Sequence, residues 1–328
     1  MHVSVCVASH ERPSLLVSAL EGLYNQKTAA GEIVVVDSSR FAHCKGAVNE
    51  FARKSSHLEI RYVPSERWSL PYKRYLGGQI CRGEIVLFID DDVVLRPNAV
   101  DMILRAYRQG LSDGRSVIGV GLVPTDIDGN VRFRNPSTVR EKWLGTSKWR
   151  SGSISNGGLT VAFPERADGP VLEVEWLWGG AMSFLRSELG RMGLLRNLDM
   201  LYQRGEGKAE DAVLSAVMGK HGRLVVLNDQ LAVHLPNPEG VPRANAQSGW
   251  LRGIWGSWGR ANTMRWIAKD PRDYKSTWIR VVSLELVRSA IGLARRPLSL
   301  GMWARFAGSI YGIMYSLYRW KSIPPTPG

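Results

Sequence analysis

An α/β fold is what this sequence predicts: a doubly wound, mostly parallel sheet flanked by helices, followed by a basic, aromatic helical extension. Three observations carry that reading. Strand-like apolar runs alternate with helical stretches through the first 125 residues of the 328-residue chain. The run Ile85-Val86-Leu87-Phe88-Ile89 is β-branched and aromatic, too short for a buried helix, and reads as a fully buried parallel strand. The charge is badly distributed: residues 241–328 carry 14 Lys/Arg against 3 Asp/Glu, a net of +11, whereas residues 1–240 hold only +2.

In chain order, strands are expected at Val3–Ala8, Ile33–Asp37, Glu59–Val63, Glu84–Asp90 and Ser116–Val123. Helices fall between them at Pro13–Asn25, Ala42–Lys54, Pro71–Cys81 and Pro97–Gln109, with Pro13, Pro71 and Pro97 suited to a first helical turn. Such alternation gives a parallel sheet. Residues 124–170 are rich in Gly, Ser, Asn, Arg and Trp and have no clear period, so they read as a long functional or mobile segment. Order resumes with strands Val171–Trp178 and Ala181–Leu185, helices Arg186–Met192 and Ala209–His221, and strands Arg223–Leu227 and Leu231–His234. From Ala244 to Trp320 the pattern is helical, broken at Asp270-Pro271 and Arg296-Pro297. The natural division is a catalytic domain over 1–240 and a tail over 241–328.

With 44% apolar and 22% charged residues the chain is a globular protein and not a disordered one. Cys6, Cys44 and Cys81 fit no zinc spacing, and two of them fall in core elements, so a reduced, cytoplasmic compartment is expected. No signal peptide is expected, since Met1-His2 leads straight into a strand at Val3–Val7.

Chemistry enters at Asp90-Asp91-Asp92, which follows the buried strand. Ligands of open α/β sheets bind outside the carboxyl ends of strands. Three acids packed there repel one another unless a cation neutralises them, and hard oxygen ligands suit Mg²⁺ or Mn²⁺. A solvated acidic turn before the helix at Pro97 is the alternative.

Several pieces now occur in one order: Val5–Pro13, Asp37 ending Ile33–Val36, Arg74 nine residues before Gly83, the acid triplet, Trp176-Leu177-Trp178-Gly179-Gly180, Glu210-Asp211 and His234. Together, over roughly residues 3–236, they resemble the inverting family 2 glycosyltransferases, which have the Rossmann-like GT-A fold. The resemblance implies that Ser9, Arg12, Asp37, Arg74, Asp90 and Asp91 contact a nucleoside-diphosphate-sugar donor. Asp37 alone reads equally as a helix cap, and Arg74 alone as a surface helix residue. Tyr75 stands where the family has Asn. The triplet matches the family's DXD motif, with Asp90, Asp92 and His234 implied as ligands of Mn²⁺ or Mg²⁺. Trp178, Gly179 and Gly180 are implied beside the acceptor, while Trp176 is read as core. Glu210-Asp211 matches the catalytic pair, with Asp211 as base and Glu210 orienting the acceptor.

The tail's seven Trp and excess Lys/Arg suit an anionic membrane surface. A helical cover on the catalytic domain and a nucleic-acid-binding module are the other readings. The apolar window Leu298–Tyr318 is interrupted by Arg305, Gly and Ser, so it is interfacial and not spanning. The expectation is therefore a metal-dependent transferase acting on a lipid-linked or glycan acceptor, peripheral to the inner face of the cell membrane. Two alternatives differ in class. A nucleotidyltransferase would need a Gly-rich, basic signature after the first strand, which Ala8–Pro13 lacks. A non-catalytic membrane scaffold would not need the acids.

Overall fold

The computed structural model describes the chain except for residue 56 and residues 113–115, 132–138, 147, 164–168, 170, 193–198, 200–208, 237–245 and 319–328. The two ends of the tail, 241–245 and 319–328, thus lie outside the described residues. Two compact units emerge, and they are interleaved along the chain and not cut at residue 240. The first comprises Met1–Arg134, Ala162–Arg196 and Leu214–Pro236; the second comprises Asn135–Val161, Asn197–Val213 and Asn237–Gly328.

The first unit holds a nine-stranded sheet among the described residues. Its strands are β1 (Val3–Ser9), β2 (Glu32–Asp37), β3 (Ile60–Pro64), β4 (Ile85–Asp90), β5 (Val93–Leu95), β6 (Val117–Thr125), β7 (Val171–Val174), β8 (Ala181–Leu185) and β9 (Arg223–His234). The order is β3-β2-β1-β4-β8-β6-β9-β5, with β7 pairing on β9. Strands β1 to β4 run parallel, β8 runs against both β4 and β6, and β9 runs parallel to β6. The continuous apolar runs are explained by position. β1 and β4 lie inside the sheet, and every residue from Val3 to Ser9 is buried. β3, paired on one side only, is half-exposed.

Register places the strand ends together. Ser9 pairs with Asp37, and Ala8 pairs with Asp90, so three parallel strands finish at one edge carrying polar side chains. β8 enters at the same edge, Ala181 opposite Ile89, which brings the Gly179-Gly180 turn there. β9, expected as two strands, is one strand with a bulge: Leu122 pairs with Leu227, but Pro124 pairs with Ala232. Gln230 takes the bend at φ 53°. The bulge lets the second half of β9 continue to β5, where His234 pairs with Val93.

Helices α1 (Pro13–Tyr24), α2 (His43–Lys54), α3 (Leu70–Ile80) and α4 (Ala99–Ser112) fill the expected connections. Arg186–Met192 forms a 3-10 turn where a helix was expected. α3 sits unusually close to the sheet, because a Cβ on Gly77 would lie on the Cys6 sulfur and touch Val36. That approach carries Lys73 and Arg74 inward. The three cysteines are buried and free.

In the second unit, α5 (Val139–Leu144) belongs with the C-terminal helices α7 (Ala246–Ile254), α8 (Arg260–Ile267), α9 (Pro271–Arg295) and α10 (Leu300–Tyr318). The breaks at Asp270-Pro271 and Arg296-Pro297 fall between helices as the prolines required, and Asp270 caps α9 by accepting the Arg272 N–H at 2.7 Å. A core of Leu144, Leu159, Ala261, Met264, Trp278 and Val281 holds the unit. Part of the 124–170 segment is therefore packed structure. Gly158, at φ +82°, lies so close to the Met264 backbone that no side chain fits there. α6 (Glu210–Met218) crosses the boundary between the units. Among the described residues no helix is long and apolar enough to cross a membrane.

Candidate active site

The edge where β1, β2 and β4 end gathers most of the residues singled out in the sequence. Asp91 is fully buried and Asp92 nearly so, while Asp90 is half-buried. Their charges meet protein cations directly. Arg12 spans two of them, one Nη on Asp91 Oδ1 and the other 2.8 Å from Asp92 Oδ2. Arg74 Nη2 lies 3.0 Å from Asp90 Oδ1 and donates to the Gly179 carbonyl at 2.6 Å. Lys73 donates to the Ser9 carbonyl at 2.7 Å. Three acids thus face three bases, and repulsion within the triplet does not by itself require a metal. The sequence argument for a metal has to be replaced by a geometric one.

Burial sets the ionisation of this cluster. It pushes Asp91 well above the usual carboxylate range; Arg12 pulls against it, and Asp92 and Asp90 reinforce it. Asp90 is raised by the same cause, with Arg74 opposing. Burial draws the Lys73 ammonium down to about 8, while Asp91, Asp90 and Asp37 hold it up.

The loop after β1 is shaped to present Arg12. Glu11 adopts φ 52°, a left-handed conformation costly for a non-glycine residue and typical of functional sites. Its N–H donates to Ser39 Oγ at 2.6 Å, and the His10 N–H donates to Asp91 Oδ2 at 3.2 Å. Ser9 itself is buried, its carbonyl held by Lys73.

Asp37 is 2% exposed and caps no helix, since α2 begins only at His43. Its carboxylate accepts from Tyr62 Oη at 2.7 Å and from the Ser39 N–H at 3.2 Å and hydroxyl at 2.7 Å. A carboxylate has lone pairs beyond these three bonds.

Trp176 stacks on Phe163 with centroids 4.5 Å apart, as a core residue does. Trp178 is also buried, at 8% exposure, with its ring 5.8 Å from that of His234 and folded over Gly180. It offers an acceptor little open face. The glycine turn is fixed by backbone bonds: the Asp90 N–H donates to the Gly180 carbonyl at 3.2 Å, and the Leu177 N–H donates to Ser215 Oγ at 2.9 Å.

For a metal, the decisive atoms belong to Asp92 and His234. Asp92 Oδ1 is buried with no hydrogen-bond partner among the described residues, and His234 Nε2 lies 3.7 Å from it. The Asp92 carbonyl holds the chain after β9 by accepting the Leu235 N–H at 2.8 Å. An orphaned carboxylate oxygen facing an imidazole nitrogen fits a divalent ion, and the mixed donors suit Mn²⁺ better than all-oxygen Mg²⁺. Asp90, expected as a third ligand, is engaged by Arg74. Among the described residues no three His, Cys, Asp or Glu side chains form a metal cage by themselves.

Glu210 and Asp211 belong to the second unit and open α6. Glu210 is buried, and Asp211 Oδ1 accepts the Ala212 N–H at 2.9 Å. Ala209, at φ 61°, turns the chain into the helix. Sequence reasoning missed Lys73, Tyr62 and the strained Glu11. Only Lys73 had a signal, as the neighbour of Arg74 on a helix whose glycines mark close packing.

Comparison with known proteins bears on the family and the fold. Residues 4–151 match the model of "Glycosyl transferase family 2". EpsH of Bacillus subtilis (strain 168), provisionally named a glycosyltransferase, is 27% identical over 103 residues, covering 31% of this chain and 29% of EpsH. The structure of GalNAc-T7 with UDP, GalNAc and Mn²⁺ superposes with a TM-score of 0.57 at 16% identity, over 99% of this chain and 59% of that one. The mannosyltransferase PcManGT from Pyrobaculum calidifontis, in complex with GDP-Man and Mn²⁺, gives 0.52 at 17% identity, over 98% and 88%. The chain thus spans less than two thirds of EpsH and of GalNAc-T7, and the two structural likenesses speak for the fold. Residues 4–151, less than half of the chain, are thus similar to glycosyl transferase family 2, and the chain is built on a GT-A fold.

Proposed function

We propose that this protein transfers a sugar from a nucleoside-diphosphate-sugar to an acceptor hydroxyl, with inversion at the anomeric carbon. The observation that carries the reading is the buried strand edge where Asp92 Oδ1, with no hydrogen bond among the described residues, faces His234, while Arg12, Lys73 and Arg74 gather at the same edge. Bound there by Asp92 and His234, Mn²⁺ or Mg²⁺ supplies Lewis-acid neutralisation of the donor diphosphate. Asp37 accepts from the donor's base, and Arg12 adds positive charge where the leaving group gains negative charge. The acceptor oxygen bonds to the anomeric carbon as the bond to the diphosphate breaks, and the nucleoside diphosphate leaves with the electron pair. Asp211 takes the acceptor's proton, and Glu210 orients it. The product's anomeric configuration tests this directly: an inverted product supports the assignment, and a retained one rules out the mechanism.

The acceptor we propose is lipid-linked or a glycan presented at an anionic membrane surface. Support comes from α10, whose exposed face is apolar from end to end: Leu300, Trp303, Ile310, Tyr311, Met314 and Leu317. Its small residues, Gly301, Gly308, Ser309, Gly312 and Ser316, are buried instead. Large apolar side chains outward and small ones inward is the reverse of a water-facing helix. Trp303→Ser with Met314→Ser should weaken flotation with anionic vesicles while leaving donor binding intact. Unchanged flotation would remove the membrane from the account. Truncating the tail is a poorer test, because Leu144 and Leu159 lose their core with it.

A further inference from the structure

The second unit contains a cavity of about 210 Å³ whose lining includes four arginines, one from each of the four C-terminal helices: Arg252 of α7, Arg260 of α8, Arg288 of α9 and Arg305 of α10. Glu285 and Trp255 complete the polar and aromatic wall. Two of the arginines have partners within the protein: Arg260, and Arg305 through Glu285. Glu285 is 7% exposed, and its Oε1 accepts from Arg305 at 3.2 Å (Nε) and 2.8 Å (Nη2) and from Ser289 Oγ at 3.2 Å. Among the described residues no other acid lines the cavity.

The imbalance is not relieved nearby. Residues 241–328 contain only two further acids, Asp270 and Asp273, and Asp270 is used as a helix cap. Arg252 and Arg288 make no ion pair with any described residue. Guanidinium does not deprotonate in proteins, so the charge cannot be shed by titration. Arg252 and Arg288 therefore leave the cavity with positive charge that an anion would offset. The local backbone is also specialised: a π-helical turn, Trp255–Gly259, joins α7 to α8, and such turns occur frequently at functional sites. It puts Gly256 against Glu285 so closely that a Cβ would overlap the carboxyl group. A water's share of liquid volume is about 30 Å³, so the cavity has room for a hydrated phosphate group. Planar, bidentate guanidinium donors match phosphate oxygens.

We propose that this cavity is an anion site for a phosphate or diphosphate group, separate from the donor site and independent of the proposed transferase activity. The group is either that of a soluble phosphate compound or the headgroup of a phospholipid. Arg252 and Arg288 are exposed, so replacing them spares the Glu285–Arg305 pair and the fold.

The test titrates full-length protein with inorganic pyrophosphate in EDTA, by calorimetry, so that no metal-dependent binding elsewhere contributes. Arg252→Ala/Arg288→Ala should bind pyrophosphate at least about tenfold more weakly than wild type, as expected for losing hydrogen bonds to a charged group. Arg252→Lys/Arg288→Lys should retain part of the affinity. Flotation with phosphatidylcholine vesicles, with and without phosphatidic acid, identifies the source. Phosphatidic-acid-dependent binding lost in the Ala variant assigns a lipid headgroup; pyrophosphate binding without that dependence assigns a soluble phosphate. Pyrophosphate affinity that is absent in wild type, or equal in wild type and the Ala variant, overturns the proposal.

Discussion

Asp92→Asn is expected to abolish metal-dependent donor binding and turnover while leaving the protein folded. The substitution keeps the shape and removes the charge of the residue whose buried Oδ1 faces His234 and accepts no hydrogen bond among the described residues. Its other oxygen accepts from Arg12, and an Asn oxygen can still do so. Metal-ion stabilisation of developing charge amounts to several kcal/mol. At 1.36 kcal/mol per decade the loss in kcat/KM is about 10³-fold or more. Thermal unfolding of the variant should stay close to that of wild type, and Mn²⁺ titration should show no saturable donor-linked binding. Normal turnover by the variant would move the metal, or the chemistry, elsewhere.

The second large effect concerns stability. Arg74 is 1% exposed, and its guanidinium serves both the Asp90 carboxylate and the Gly179 carbonyl. Breaking a buried pair from one side leaves an uncompensated charge, which costs about 3–5 kcal/mol. Arg74→Met should therefore lower the denaturation midpoint substantially. Arg74→Met with Asp90→Asn should recover part of the loss, since the orphaned charge is then gone. A single variant that unfolds within about 1 kcal/mol of wild type would show that Arg74 is not holding the strand edge to the glycine turn.

The sheet's centre was legible because parallel strands buried on both faces read as uninterrupted apolar runs, as in Val5–Ala8, Ile33–Val36 and Ile85–Ile89. Polar residues at the ends of those runs marked the site for the same reason. What escaped was what depends on distant partners. β5 is three residues long and exists only through pairing with β9, and the polar stretch Asn228–Gln230 disguised one bulged strand as two. Arg74 alone looked like a helix-surface residue and Lys73 drew no reading, because nothing local shows that acids at the end of β4 come to meet them. Residues 139–161 lack a period of their own and acquire a core from helices more than a hundred residues later. Gly157 and Gly158, within that segment without a period, are close-packing positions.

The central claim is that this strand edge activates a nucleotide-sugar with a divalent ion. Its most direct measurement is release of nucleoside diphosphate by the full-length wild-type protein, across UDP-, GDP- and dTDP-sugars, with Mn²⁺ and then with excess EDTA. The account predicts release from one donor class that depends on Mn²⁺ and stops on chelation. Release that continues undiminished in EDTA would contradict it.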